Sequence, residues 1–179
     1  MLVLVALWAF AEATLFFIVA DVPIMAVGIR YGWRRALLAA LVAAVAAALG
    51  GLVVMQWAAL APEASRAAIE RLPGIDAALF DQAATAMARP NFGWAAMMEG
   101  AFRGVPYKLY AHAAGVEGTG MTAFFLASVI ARLPRFALAA AVGGTAGPRL
   151  RRRLGARRTW LVFVLCWSAF YAWYFTAMS

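Results

Sequence analysis

Ionisable residues are bunched along this chain, and the intervals between the bunches are long. Ala36 to Ala61 contains none, and neither does Thr159 to Ser179. Each run exceeds the roughly 20 residues that cross a bilayer core, so residues 33–61 and 159–179 are each expected to form a transmembrane helix. Gly118 to Gly147 is a third apolar segment, and residues 118–147 are likewise expected to form a transmembrane helix. As a helix at 1.5 Å per residue it would be about 45 Å long, and it carries Arg132, Pro134 and Arg135 near its middle. The 33–61 helix is rich in alanine and contains Gly50 and Gly51, small residues that let backbones approach closely.

The rest of the pattern is broken. Residues 1–32 are apolar apart from Glu12, Asp21 and Arg30, and Pro23 is expected to break or bend a helix there. Arg30, Arg34 and Arg35 follow, with Gly28 and Gly32 among them. Residues 91–117 contain FRGVPYKLYAHAAG, where Arg103 and Lys108 flank Pro106, with Glu99 just before and Gly115 expected to let the chain turn back. Residues 62–90 are polar, with four acids against three arginines. Asp76 suits an N-cap there, for a helix with Leu79, Phe80, Ala83, Ala84 and Met87 on one side. This stretch reads as an amphipathic interfacial or extramembrane linker.

Composition agrees with that pattern. The mean hydropathy is +0.81, and 13% of residues are charged, against about 25% in soluble domains. The expectation is an all-α polytopic membrane protein, folded as one helical bundle. The net charge of +8 comes largely from arginine. Six arginines between Arg149 and Arg158 read as a loop between two apolar segments, which places that loop and the Arg30–Arg35 cluster in the cytoplasm. The linker and the C-terminus then lie on the other side. Nucleic acid is not expected as a partner, because no aromatic stacking platform accompanies these arginines. The single cysteine, Cys166, cannot form an intrachain disulfide and reads as a small hydrophobe. His112 has no Cys or His neighbours, so neither a metal nor another cofactor is expected. The N-terminus lacks a basic region, and Glu12 interrupts its apolar run, so it does not read as a signal peptide.

The two broken segments resemble each other. The first reads Glu12, Val22-Pro23, Gly28, then a helix reaching Gly50-Gly51. The second reads Glu99, Val105-Pro106, Gly115, then a helix reaching Gly143-Gly144. The helix after the first starts in the cytoplasm, and the helix after the second starts on the opposite side. This predicts an inverted-topology repeat of two opposed re-entrant hairpins. Broken backbone at membrane depth needs protein or a water-filled cavity to satisfy it. Two ordinary proline-kinked spans are the plainer alternative.

Charges inside a membrane cost about 2.5–3.5 kcal/mol each at a helix centre. The candidates are Glu12, Asp21, Glu99, Arg103, Lys108, Arg132 and Arg135. Arg132 and Arg135 are three apart and share a helix face, while Glu99 and Arg103 are four apart and can pair. Internal neutralisation is one reading. The other is an anion site in which paired guanidinium groups match phosphate oxygens. Arg103, Lys108, Arg132, Arg135 and the Tyr107 hydroxyl would then bind substrate. Glu12, Asp21 and Glu99 would take up and release protons.

Three stretches also carry a family resemblance. VPYKLYAHAAGV resembles the Pro-Tyr-Lys…Ala-Gly segment of small YqaA-like members of the DedA (VTT domain, SNARE-associated Golgi) family. LASVIARLPRFAL resembles that family's Ser…Gly-Arg…Arg-Phe segment, with Ala131 where glycine is usual. EATLFFIVAD is similar to its Glu-x-x-x-Phe-Phe…acid pattern, with Glu12 and Asp21 at the usual offset. Phe17, Val19 and Ala20 stand where prolines are usual. The resemblance covers most of residues 10–145. It implies opposed re-entrant hairpins and lipid handling. Glu12 and Asp21 match the family's essential acids, and Arg132 and Arg135 its essential arginines. Bacterial relatives are implicated in returning undecaprenyl phosphate across the cytoplasmic membrane, and eukaryotic relatives scramble phospholipids.

The leading expectation is therefore a proton-coupled transporter, flippase or scramblase, of a phosphate-bearing lipid such as undecaprenyl phosphate or an anionic phospholipid. Its partners would be that lipid headgroup and protons. The alternatives are a small-ion/proton antiporter and a non-transporting assembly subunit; the small-residue faces are compatible with a homo-oligomer. An enzyme is not expected, because no nucleophile has a base beside it. An arginine-rich, nearly lysine-free chain suggests a GC-rich bacterial source, and the family resemblance then implies a bacterial inner membrane.

Overall fold

The computed structural model describes residues 1–89 and 94–178. Among them the chain is all-helical: α1 (Leu2–Ala13), α2 (Asp21–Tyr31), α3 (Trp33–Leu60), α4 (Pro62–Glu70), α5 (Ala77–Met87), α6 (Trp94–Arg103), α7 (Tyr107–Val116) and α8 (Met121–Met178). Two of these, α3 and α8, are long and apolar enough to cross a membrane. Both keep large apolar side chains on the outside, among them Leu41, Leu49 and Val53 on α3 and Leu161, Leu165 and Trp173 on α8. Apolar surface of this extent suits association with lipid or another apolar partner.

The six arginines expected to form a loop are helical instead. α8 runs through Pro134, Pro148 and Arg149–Arg153, and leaves helical geometry only at Gly155 (φ 78°, ψ 164°). Arginine is a good helix former, and glycine alone reaches positive φ without strain, so one residue makes the turn. α8 thus has two arms, residues 121–154 and 156–178. The apolar segment expected at 118–147 begins at Met121 and runs past Gly147.

Both broken segments fold back on themselves, but not where their prolines suggested in each case. Between α1 and α2 the break spans residues 14–20, and Pro23 lies inside the first turn of α2. A proline there forfeits no intrahelical bond, because the first turn's N–H groups have no helical partner. Between α6 and α7 the break is Gly104 (φ 87°) through Pro106, as expected. Gly115, however, lies within α7, and the chain turns at Gly118 (φ 71°). Gly115 serves packing instead: a Cβ there would collide with the Met55 carbonyl oxygen of α3.

The linker holds α4 and α5. Asp76 caps α5 by accepting a hydrogen bond from the Leu79 N–H at 2.9 Å. Phe80, Ala83, Ala86 and Met87 form its buried side, while Ala84 faces out. The boundary expected between the linker and the second broken segment, at residues 90 and 91, lies outside the described residues.

The packing pattern sets the site. α1 lies on α3 and α6 on α8, whereas α2 crosses to α8 and α7 crosses to α3; α3 and α8 also pack together. A Cβ on Gly28 would stand 2.5 Å from the Gly143 carbonyl carbon, and one on Gly147 would stand 2.6 Å from Ile29 Cα, so α2 runs parallel to the first arm of α8. Gly51 meets Tyr107, and Gly115 meets Met55 and Ala58, so α7 runs parallel to α3. Trp33 touches Gly144 while Gly51 and Ser128 share Tyr107, which makes α3 and that arm antiparallel. α2 and α7 therefore point in opposite directions. Both breaks reach the Gly50–Gly51 level of α3, about 26 Å from its start.

Candidate functional site

Glu12 and Asp21 stand on either side of the first break, one in the last turn of α1 and one at the first residue of α2. Reversal of the chain brings these two carboxylates side by side against α8. There Arg132 and Arg135, three apart on one face, meet them. Arg132 Nη2 pairs with Glu12 Oε2. Arg135 donates from Nε (2.9 Å) and Nη2 (2.6 Å) to a single oxygen, Asp21 Oδ2. Arg135 Nη1 also donates to the Ala101 carbonyl in the last turn of α6 at 2.9 Å. Cations are favoured at such helix ends, where carbonyls lack helical partners.

The second break contributes Tyr107 and Lys108 from the start of α7. Tyr107 donates its hydroxyl to Ser128 Oγ at 2.7 Å. Its ring lies under the Arg132 guanidinium, 4.5 Å from the centroid, while Phe136 lies on α8 at 4.8 Å. Lys108 Nζ donates to the Phe16 carbonyl in the first break at 2.9 Å. The two folded-back units are thus tied to each other and to α8 by charged bonds. Asp21, Lys108 and Arg132 are all buried. Burying such charges is tolerated only with partners in place.

Among the described residues two polar atoms remain unmatched: Asp21 Oδ1 and Arg132 Nε are buried without a hydrogen-bond partner. Beside them lies a cavity of about 200 Å³. Glu12, Lys108, Arg132 and Arg135 reach its polar wall, and Asp21 stands behind Arg135. Phe16, Phe17, Phe170 and Tyr171 make much of its apolar wall. Each of the three cations is held by a carboxylate or a carbonyl, so an incoming anion must exchange with those partners.

Six of the eight sequence-expected residues converge here: Glu12, Asp21, Tyr107, Lys108, Arg132 and Arg135. Arg103 and Glu99 do not. They pair with each other at 2.6 Å on the surface, with their side chains 75% and 47% exposed. Their helix turn faces an outer cleft shared with Asp81 and Arg89. Pairing four apart on α6 satisfies them locally and points them away from α8. The histidine and the cysteine also lie elsewhere. His112 Nδ1 is 2.8 Å from Ser65 Oγ, joining α7 to α4, and Cys166 is exposed.

Sequence reasoning missed Tyr171 on the second arm of α8. Its hydroxyl accepts the Val19 N–H at 2.9 Å, holding the first break across 152 positions of sequence. No local pattern marks that pairing. Ser128 was also missed, although its position four before Arg132 puts both on one helix face. No family model, curated protein or solved structure matches this chain.

Proposed function

We propose that the protein is a proton-coupled membrane transporter, flippase or scramblase, of a phosphate-bearing lipid such as undecaprenyl phosphate or an anionic phospholipid. In this reading α1–α2 and α6–α7 are opposed re-entrant hairpins of an inverted repeat, resembling the DedA/VTT arrangement in a bacterial cytoplasmic membrane. Exchange symmetry of the packing supports it. Swapping α1, α2 and α3 for α6, α7 and α8 carries the α1–α3 packing onto α6–α8 and the α2–α8 packing onto α7–α3, although α2 also packs along α3 where α7 makes no comparable backbone approach to α8.

The observation that carries the function is the pair of carboxylate–guanidinium contacts, Glu12–Arg132 and Asp21–Arg135, beside a cavity with one wall of aromatic rings. Ionised carboxylates hold both guanidinium groups. Protonating them removes the acceptor charge and leaves two forked donors, three residues apart, for the oxygens of a phosphate. Loss of the protons re-forms the pairs and expels the anion. Lys108, Arg132 and Arg135 outnumber Glu12 and Asp21, so the local balance favours an anion over a cation. The apolar chain would leave past Phe170 and Tyr171, which flank the cavity on the last arm of α8.

Translocation of a labelled phosphate-bearing lipid in proteoliposomes tests this. Arg132→Ala and Arg135→Ala, assayed as monodisperse protein, should each slow movement by about tenfold or more, the worth of one charged hydrogen bond. Wild-type transport should accelerate as the pH falls through the range where carboxylates take up protons. Unchanged lipid movement in both arginine variants would remove the headgroup site.

A further inference from the structure

We infer that the end of the molecule carrying Arg30 and Arg151 holds a second site, for an anionic phospholipid, separate from the central cavity. It rests on association with a membrane and not on transport. Nine arginines, Arg30 to Arg35 and Arg149 to Arg158, gather where α2 ends, α3 begins and α8 turns at Gly155. No Asp or Glu occurs in residues 22–62 or 118–179, and none of the described ion pairs involves these arginines. A preference for positive charge in the cytoplasm accounts for their side of the membrane. It does not account for their arrangement.

They frame two adjoining hollows divided by Tyr31. One is an open cleft of about 520 Å³ with Arg30, Arg151 and Arg152 on its walls. The other is an apolar groove of about 250 Å³ formed by Met1, Leu2, Val27 and Leu38, with Arg35 as its charged wall. Tyr31 borders both. The guanidinium groups of Arg30 and Arg35 lie over its ring, 5.4 and 5.0 Å from the centroid. Arg151 Nη1 donates to the Ile29 and Arg30 carbonyls at 3.3 Å, fixing the cleft against the end of α2. Trp33, the first residue of α3, is 42% exposed, as suits an aromatic at a membrane interface.

A cationic cleft beside an apolar groove is complementary to a headgroup phosphate joined to an acyl chain. A free anion would use only the first half, and a neutral lipid only the second. Basic hollows between helices on the cytoplasmic side are known to take anionic headgroups.

Native mass spectrometry of the intact chain in detergent tests the site, with phosphatidylglycerol, phosphatidylcholine and glycerol phosphate titrated separately. Phosphatidylglycerol should be retained and the other two should not. Arg30→Gln with Arg152→Gln should weaken retention roughly thirtyfold, at about fivefold per arginine near a lipid phosphate. Both side chains are exposed and Arg151 stays in place, so the fold is spared. Arg157→Gln with Arg158→Gln removes the same charge outside the cleft and should leave retention within about threefold. Equal loss in the two double variants would mean diffuse charge and no site. Equal binding of glycerol phosphate would mean a free-anion site, and equal binding of phosphatidylcholine an apolar one. Each of these results overturns the inference.

Discussion

Breaking the Glu12–Arg132 pair from either side should cost more, taken together, than removing both charges at once. Arg132 is 8% exposed, with its guanidinium against the rings of Tyr107 and Phe136. Glu12→Gln leaves that cation without its counter-charge, and a guanidinium does not shed its proton at any working pH. Removing one partner of a buried pair costs about 3–5 kcal/mol. The Gln amide oxygen still accepts one N–H, so the lower end, about 3 kcal/mol, is expected. Arg132→Met instead strands the Glu12 carboxylate, at a comparable cost of about 3–5 kcal/mol. The double variant removes both charges and should cost less than the sum of the singles by about 2–4 kcal/mol. Unfolding in mixed micelles, titrated with denaturing detergent, supplies the cycle. Additivity within about 0.5 kcal/mol would refute the reasoning.

Gly28→Val would put a Cβ 2.5 Å from the backbone of Gly143 and Gly144, which cannot rotate away. α2 must back off α8 by about 1 Å to restore ordinary contact, at about 1–3 kcal/mol. Asp21 should then lose grip on Arg135; a melting temperature and lipid movement equal to wild type would contradict this. Tyr171→Phe removes the acceptor for the Val19 N–H and should cost about 1–3 kcal/mol. Amide exchange should rise across residues 14–20 while α3 stays protected, and unchanged exchange there would remove Tyr171 as the clasp of the first break.

Much of the element order follows from the sequence, because hydropathy and charge act locally. A charge-free run such as Ala36 to Ala61 has no low-cost alternative to a helix, and Asp76 caps whatever helix follows it. The sharing of one face by Arg132 and Arg135 follows from helical spacing alone. The breaks were less legible. A proline signals a break only where its N–H would have been needed, and Pro23 falls in a first turn where it is not. The arginine run from Arg149 to Arg158 reads as a loop by charge, yet a single glycine with positive φ lets it remain helical.

What the chain's own order could not decide is which charges meet. Glu99 and Arg103 satisfy each other four residues apart, so they stay on the surface. Glu12 and Asp21 have no such neighbour, and only the crossing of α2 onto α8 brings them to arginines more than a hundred positions away. That crossing depends on Gly28 meeting Gly143 and Gly144 backbone to backbone, a contact that local propensity does not encode. The sequence by itself determined the helices and the stock of buried charge. The tertiary structure decided the pairing, because the energy of a charge away from water is set by its neighbours in space.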